Sequence, residues 1–234
     1  MPRQHYTFED NLNGHSINTD KAKGLGCIVE VADGYLQRLK YMTDNKRQVF
    51  VMQCVATVPE GMEFPKDNKA ITKCLASFIK TSKNKGLCPQ VGWTREQETS
   101  DHQHYNIGAI FDGSLTQSAR GHAERLNKLW TKCLGVDPRS QYIHRVEPDS
   151  EKYDKQATCD KKSLTGIKIV PNAPGAAEQF DNALHFLSYG GKLSQKGKAP
   201  HGQREYGFTC LPKDNGQDKQ HGGGQSDTDE NQSW

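Results

Sequence analysis

No stretch of this sequence is long and apolar enough to span a bilayer, and the amino-terminal MPRQHYTFEDNLNG lacks the apolar core of a signal peptide. A cytoplasmic location with no membrane partner is the resulting expectation. There is no CxxC pair either. The seven cysteines, Cys27, Cys54, Cys74, Cys88, Cys133, Cys159 and Cys210, are odd in number and widely scattered. That pattern argues against a zinc ribbon or a disulfide framework and for reduced, structural thiols. Charge of one sign is not in large excess, since the formal net charge is +3 and the isoelectric point about 8.4. A polyanionic partner therefore has to be argued from local clusters of basic residues, not from the global balance.

What is present is a chain of 234 residues, 33% hydrophobic, with a mean hydropathy of −0.86. That is enough for one principal domain with a core of its own and much polar loop. Ile28, Val31, Tyr35 and Leu39 recur near helical spacing. RQVFVMQCVATV is a continuous β-branched and apolar run that predicts a buried central strand over about residues 48–58. KDNKAITKCLASFIKTSKNKG places Ile71, Leu75, Phe78 and Ile79 on one face of a helix that closes at Gly86. CPQVGWTREQET and HQHYNIGAIFDG read as the two strands of a hairpin. A helix through Leu126, Leu129, Trp130 and Cys133 follows, then short strands in QYIHRVEP and TGIKIVP, and a last helix with Phe180, Ala183, Leu184 and Leu187 as its stripe. The order predicts an α+β fold, a central antiparallel sheet with flanking helices. The expected division is an amino-terminal extension with a helix over 1–45, the main domain over 46–212 and a disordered polar tail over 213–234.

Side chains alternate along a strand, so Tyr105, Ile107, Ala109 and Phe111 share an apolar face and His102, His104 and Asn106 share the other. On the preceding strand Thr94, Glu96 and Glu98 alternate likewise, and the hairpin brings Glu96 beside His104. A carboxylate, an imidazole and a neutral oxygen donor suit Mg²⁺ or Mn²⁺ better than structural zinc. Such clusters at hairpin ends also occur as solvated surface, and that alternative stays open, above all for His102. In FLSYGGKLSQKGKAPHGQREYG, Tyr189 and Lys192 lie one helical turn apart, with His185 one turn earlier. A tyrosine beside a divalent metal can attack a phosphodiester while a neighbouring ammonium offsets charge. A half-buried helical tyrosine with a solvated lysine is the plainer alternative. Lys192, Lys196, Lys198 and Arg204 then cluster in a loop followed by Tyr206 and Phe208, a composition suited to phosphates and unpaired bases, or equally to a solvated basic loop.

These blocks, RQVFVMQCVATVPEG, VGWTREQETSDHQHYNIGAIFDG, YIHRVEP and ALHFLSYGGKLSQKG followed by REYGFTC, stand in an order that resembles the YagK/YfjJ family from about Arg47 to Leu211. That family is similar to filamentous-phage (inovirus) gene two replication proteins and looks like a branch of the HUH endonucleases, whose sheet is RRM-like. The resemblance implies a rolling-circle replication initiator: a metal-dependent nickase and ligase that forms a 5′-phosphotyrosyl intermediate on single-stranded or hairpin origin DNA. Host helicase and polymerase are the implied partners. Carried over by position, Tyr189 is the nucleophile with Lys192 after it, and Glu96 and His104 are metal ligands; Lys196, Lys198 and Arg204 are the expected DNA contacts on the composition of their loop.

The sequence departs from the family pattern twice. Asn106 stands where a second histidine is expected, and an amide oxygen still suits Mg²⁺ or Mn²⁺. Gly190 and Gly191 follow Tyr189, each costing a helix about 1 kcal/mol relative to alanine, so the helix is expected to fray there. Both departures motivate an alternative, a prophage-derived DNA-binding protein with weak or no nicking activity. An RNA-binding module is a weaker option, because the aromatic strand signature of an RRM is not visible.

Overall fold

The computed structural model describes residues 5–97, 102–146, 148, 166–192, 200 and 202–212. Expectations for Glu98, Cys159, Lys196, Lys198 and the tail 213–234 lie outside the described residues. In chain order come β1 (Tyr6–Thr7), β2 (Asn11–Leu12), β3 (His15–Ser16), β4 (Cys27–Ile28) and α1 (Val29–Asn45). Next are β5 (Val49–Ala56), α2 (Lys69–Lys83), β6 (Gln90–Glu96), β7 (His104–Asp112) and α3 (Ala119–Leu134). The chain closes with β8 (Ile143–Val146), β9 (Ile167–Ile169), α4 (Ala176–Ser188) and β10 (Tyr206–Phe208).

The protein is a mixed α/β structure around a six-stranded sheet of order β10-β6-β7-β5-β8, in which β9 also pairs with β5. Every pairing is antiparallel. β8 and β9 share one edge of β5, at Gln53–Ala56 and Val49–Val51 respectively. β5 is the central strand because its side chains are apolar on both faces. Phe50, Met52, Cys54 and Ala56 join the core under α2 and α3, whereas Val49 and Val51 join the core under α1 and α4.

The helices follow from their stripes. In α2, Ile71, Cys74, Leu75 and Phe78 are buried, and the lysines are left to solvent. The Ser118 hydroxyl caps α3 by accepting from the Gly121 N–H at 3.0 Å, and α3 stops at Gly135, whose φ of +72° a residue with a Cβ rarely adopts. Trp130 is fully buried against Tyr105 and donates its indole N–H to the Thr57 carbonyl at 2.7 Å. Each such large apolar side chain contributes about 1.5–3 kcal/mol by leaving water. Among the described residues no helix is long and apolar enough to cross a membrane.

Two features were not visible in the sequence. The amino-terminal segment forms small two-stranded ladders, β1 with β4 and β2 with β3. The segment read as a basic loop, either contacting a single strand or merely solvated, includes β10, the edge strand beside β6. Phe208 of β10 is a packing residue: its ring meets Tyr35 edge-on at 5.0 Å, and the Arg38 guanidinium lies 4.4 Å over it.

Candidate active site

The β6–β7 hairpin sets the site. Tyr105, Ile107, Ala109 and Phe111 are apolar and bury under α2 and α3, which turns the alternate residues of β7 toward α1 and α4. In the register, Glu96 stands opposite His104, Thr94 opposite Asn106 and Gly92 opposite Gly108. The strand alternation thus brings together Glu96, His104 and Asn106 on one face. β6 ends at Glu96 and β7 begins at His104, so the paired strands are shorter than the stretches CPQVGWTREQET and HQHYNIGAIFDG.

Depth differs among these residues. Glu96 and His104 are half-buried, whereas Asn106 is 2% and Thr94 1% exposed. The Asn106 amide nitrogen donates to Glu96 Oε1. Its Oδ1 has no hydrogen-bond partner, and neither has Thr94 Oγ1. A buried oxygen left without a donor is costly, about 1–3 kcal/mol, and two neighbours of this kind across one strand pair are suited to a buried water or a cation. His104 titrates below the ordinary imidazole range, chiefly through burial and further through the nearby His102 and His144. That keeps the ring neutral, the form that ligates metals. His144, on β8, reaches the Thr57 hydroxyl through Nε2 at 3.4 Å. Sequence reading passed over it although YIHRVEP was recognised as a strand.

The tyrosine segment departs from the expected geometry. α4 ends at Ser188, and Tyr189–Gly191 form a 3-10 turn from which Lys192 leaves in extended conformation. The helix therefore stops where the glycines begin, yet the segment beyond is tied down. Ser188 Oγ accepts from the Asn18 N–H at 2.8 Å and donates to the His185 carbonyl at 3.0 Å, and Lys192 bridges Cys27. The glycines permit this. A Cβ on Gly190 would fall 2.7 Å from Thr94 Oγ1 and 3.1 Å from Asn106 Cβ, and one on Gly191 would fall 2.8 Å from Cys27 Sγ. So the Gly-Gly pair, read in the sequence as a weakness, lets the tyrosine turn lie directly on the hairpin. Three residues per turn still align positions three apart, and the Lys192 ammonium sits 4.6 Å from the Tyr189 ring centroid.

Arg204 is exposed just before β10. Its carbonyl accepts from the Asn68 amide at 2.7 Å, and with Asp67, Lys69, Trp93 and Gln203 it lines a cleft of about 470 Å³ at the start of α2.

Among the described residues no three His, Cys, Asp or Glu side chains converge as a metal-binding group. Glu96 and His104 are two side chains of that kind opposite each other, and a cation beside them would need neutral oxygens as further donors. The orphaned Asn106 and Thr94 oxygens are of the donor type that a hard, oxygen-preferring cation such as Mg²⁺ or Mn²⁺ takes. No known protein family, no curated protein and no solved structure matches this chain.

Proposed function

We propose that this protein is a metal-dependent, site-specific single-strand DNA nickase and ligase, an HUH-like rolling-circle replication initiator that works through Tyr189. The observation that carries the reading is the contact of Gly190 with Thr94 and Asn106, which sets the Tyr189 turn on the sheet face of Glu96 and His104. Tyr189 Oη attacks the scissile phosphorus, the bond from phosphorus to the 3′ oxygen breaks, and the proton of the phenol is replaced on the leaving 3′ oxygen. One ester is exchanged for another, so no water or external energy source is consumed, and attack by a 3′-hydroxyl in the reverse direction reseals the strand. Lys192, over the Tyr189 ring, would offset charge on the phosphate. A divalent cation, held by Glu96, His104 and Asn106, would polarise the phosphate. Arg204, with Lys196 and Lys198, would track the DNA backbone, and the released 3′-hydroxyl would serve host polymerase behind a helicase.

The test is incubation with labelled single-stranded DNA from the protein's own genetic element in Mn²⁺ or Mg²⁺. An SDS-resistant adduct that disappears in Tyr189→Phe is expected. Unchanged cleavage by Tyr189→Phe would remove the nucleophile assignment. A second reading, a DNA-binding protein without nicking activity, draws on the Asn106 amide, which donates to Glu96 and so occupies part of the carboxylate. It requires equal hairpin binding with and without EDTA and no adduct with either metal.

A further inference from the structure

We propose that the Thr94 hydroxyl is a ligand of the divalent cation, together with the Asn106 carboxamide oxygen and Glu96, beneath the Gly190 turn. This inference rests on the cation of the proposed nickase and adds a ligand that the hairpin motif did not supply.

Thr94 Oγ1 and Asn106 Oδ1 are both buried and both without a hydrogen-bond partner. The two residues face each other across the β6–β7 ladder, on the face that carries Glu96. One point in space relates them to the tyrosine turn: the Cβ position of Gly190 lies 2.7 Å from Thr94 Oγ1 and 3.7 Å from Asn106 Cγ. A Cβ there would overlap the hydroxyl, so glycine is the residue that lets the tyrosine turn close over this pair. A neutral hydroxyl and an amide oxygen are hard, uncharged donors, suited to Mg²⁺ or Mn²⁺ in company with one carboxylate. The Asn106 amide now donates to Glu96. In that orientation the Oδ1 that has no partner is the amide oxygen available to a cation.

A buried water would also satisfy such oxygens, and the two occupants differ in a measurable way. Mn²⁺ binding to the full chain is measured by isothermal titration, with the Mn²⁺-induced rise in Tm as a second readout. Wild type binds and is stabilised. Thr94→Val is expected to weaken Mn²⁺ at least about tenfold, the scale on which even outer-shell partners of a metal act, and to lose the Tm rise, while Thr94→Ser retains both. Gln53→Met removes another buried oxygen without a partner, one row away opposite Gly108, and is expected to leave Mn²⁺ affinity unchanged. Wild-type affinity in Thr94→Val overturns the inference and leaves these oxygens to water. If Glu96→Gln and His104→Ala alone abolish binding while Thr94→Val does not, the cation of the nickase stands and Thr94 is no ligand of it. Absence of Mn²⁺ binding by wild type overturns both.

Discussion

The two faces of β7 differ in how completely they are filled. Toward α2 and α3, Tyr105, Ile107, Ala109 and Phe111 interlock with Trp130, Phe78 and Trp93, and Phe111 stacks on the His122 ring at 4.1 Å. Toward α1 and α4, the same strand offers His104, Asn106 and Gly108, and the three side-chain oxygens that are buried without a partner among the described residues, on Gln53, Thr94 and Asn106, all stand on this face. Close packing is the ordinary state of a protein interior, and buried polar atoms are ordinarily satisfied. The face toward α2 and α3 also leaves one ring nitrogen, His122 Nδ1, without a partner, so the faces differ in the kind of atom left over: toward α1 and α4 the orphaned atoms are oxygens, the donors that a hard cation takes.

The sharpest contrast is in stability. Trp130→Ala, on the filled face, is expected to cost about 3–5 kcal/mol by urea unfolding while leaving Mn²⁺ affinity of the folded protein intact. A loss of Mn²⁺ binding in that variant would show the two faces to be coupled.

Acid should act through the filled face as well. His122 is 2% exposed, and burial, with Arg125 and Lys85 nearby, pushes its pKa down to about 4 from an ordinary 6.5. In the window between those values the unfolded chain takes up a proton that the folded one refuses. Stability is then full above the ordinary value and falls as pH drops through the window, by up to about 3 kcal/mol from this residue. His122→Leu should flatten that slope relative to wild type in urea titrations across the window. Equal slopes would mean that the ring is protonated in the fold.

Smaller effects belong to the other face. Gly190→Ala is expected to destabilise by about 1–3 kcal/mol, because its Cβ meets Thr94 Oγ1. Thr94→Val should do the reverse in metal-free buffer and raise stability by about 1 kcal/mol, since it removes a buried hydroxyl that has no partner. A destabilised Thr94→Val would mean that the hydroxyl is satisfied, and the contrast between the faces would weaken.

Much of this was legible in the sequence. The apolar run at β5, the stripes of the helices and the alternation in HYNIGAIFDG are local patterns with one physical solution each, and they led to the central antiparallel sheet and to Glu96 opposite His104. The misses share a cause, dependence on contacts distant in sequence. Gly190 looked like a poor helix residue until Thr94 was found against it. Phe208 looked like a stacking platform until Gly34 and Gly92 were found making room for its ring, each close enough that a Cβ would fall 2.4 Å from it. Thr94 was seen to alternate with Glu96, but nothing in the strand pattern could show that its hydroxyl lacks a donor.

The most direct test of the central claim is to digest the Mn²⁺-dependent DNA adduct and locate the nucleotide by tandem mass spectrometry. The account predicts a single phosphodiester-linked nucleotide on Tyr189. A nucleotide on another residue, or no modified peptide from protein that binds the same DNA, would contradict it.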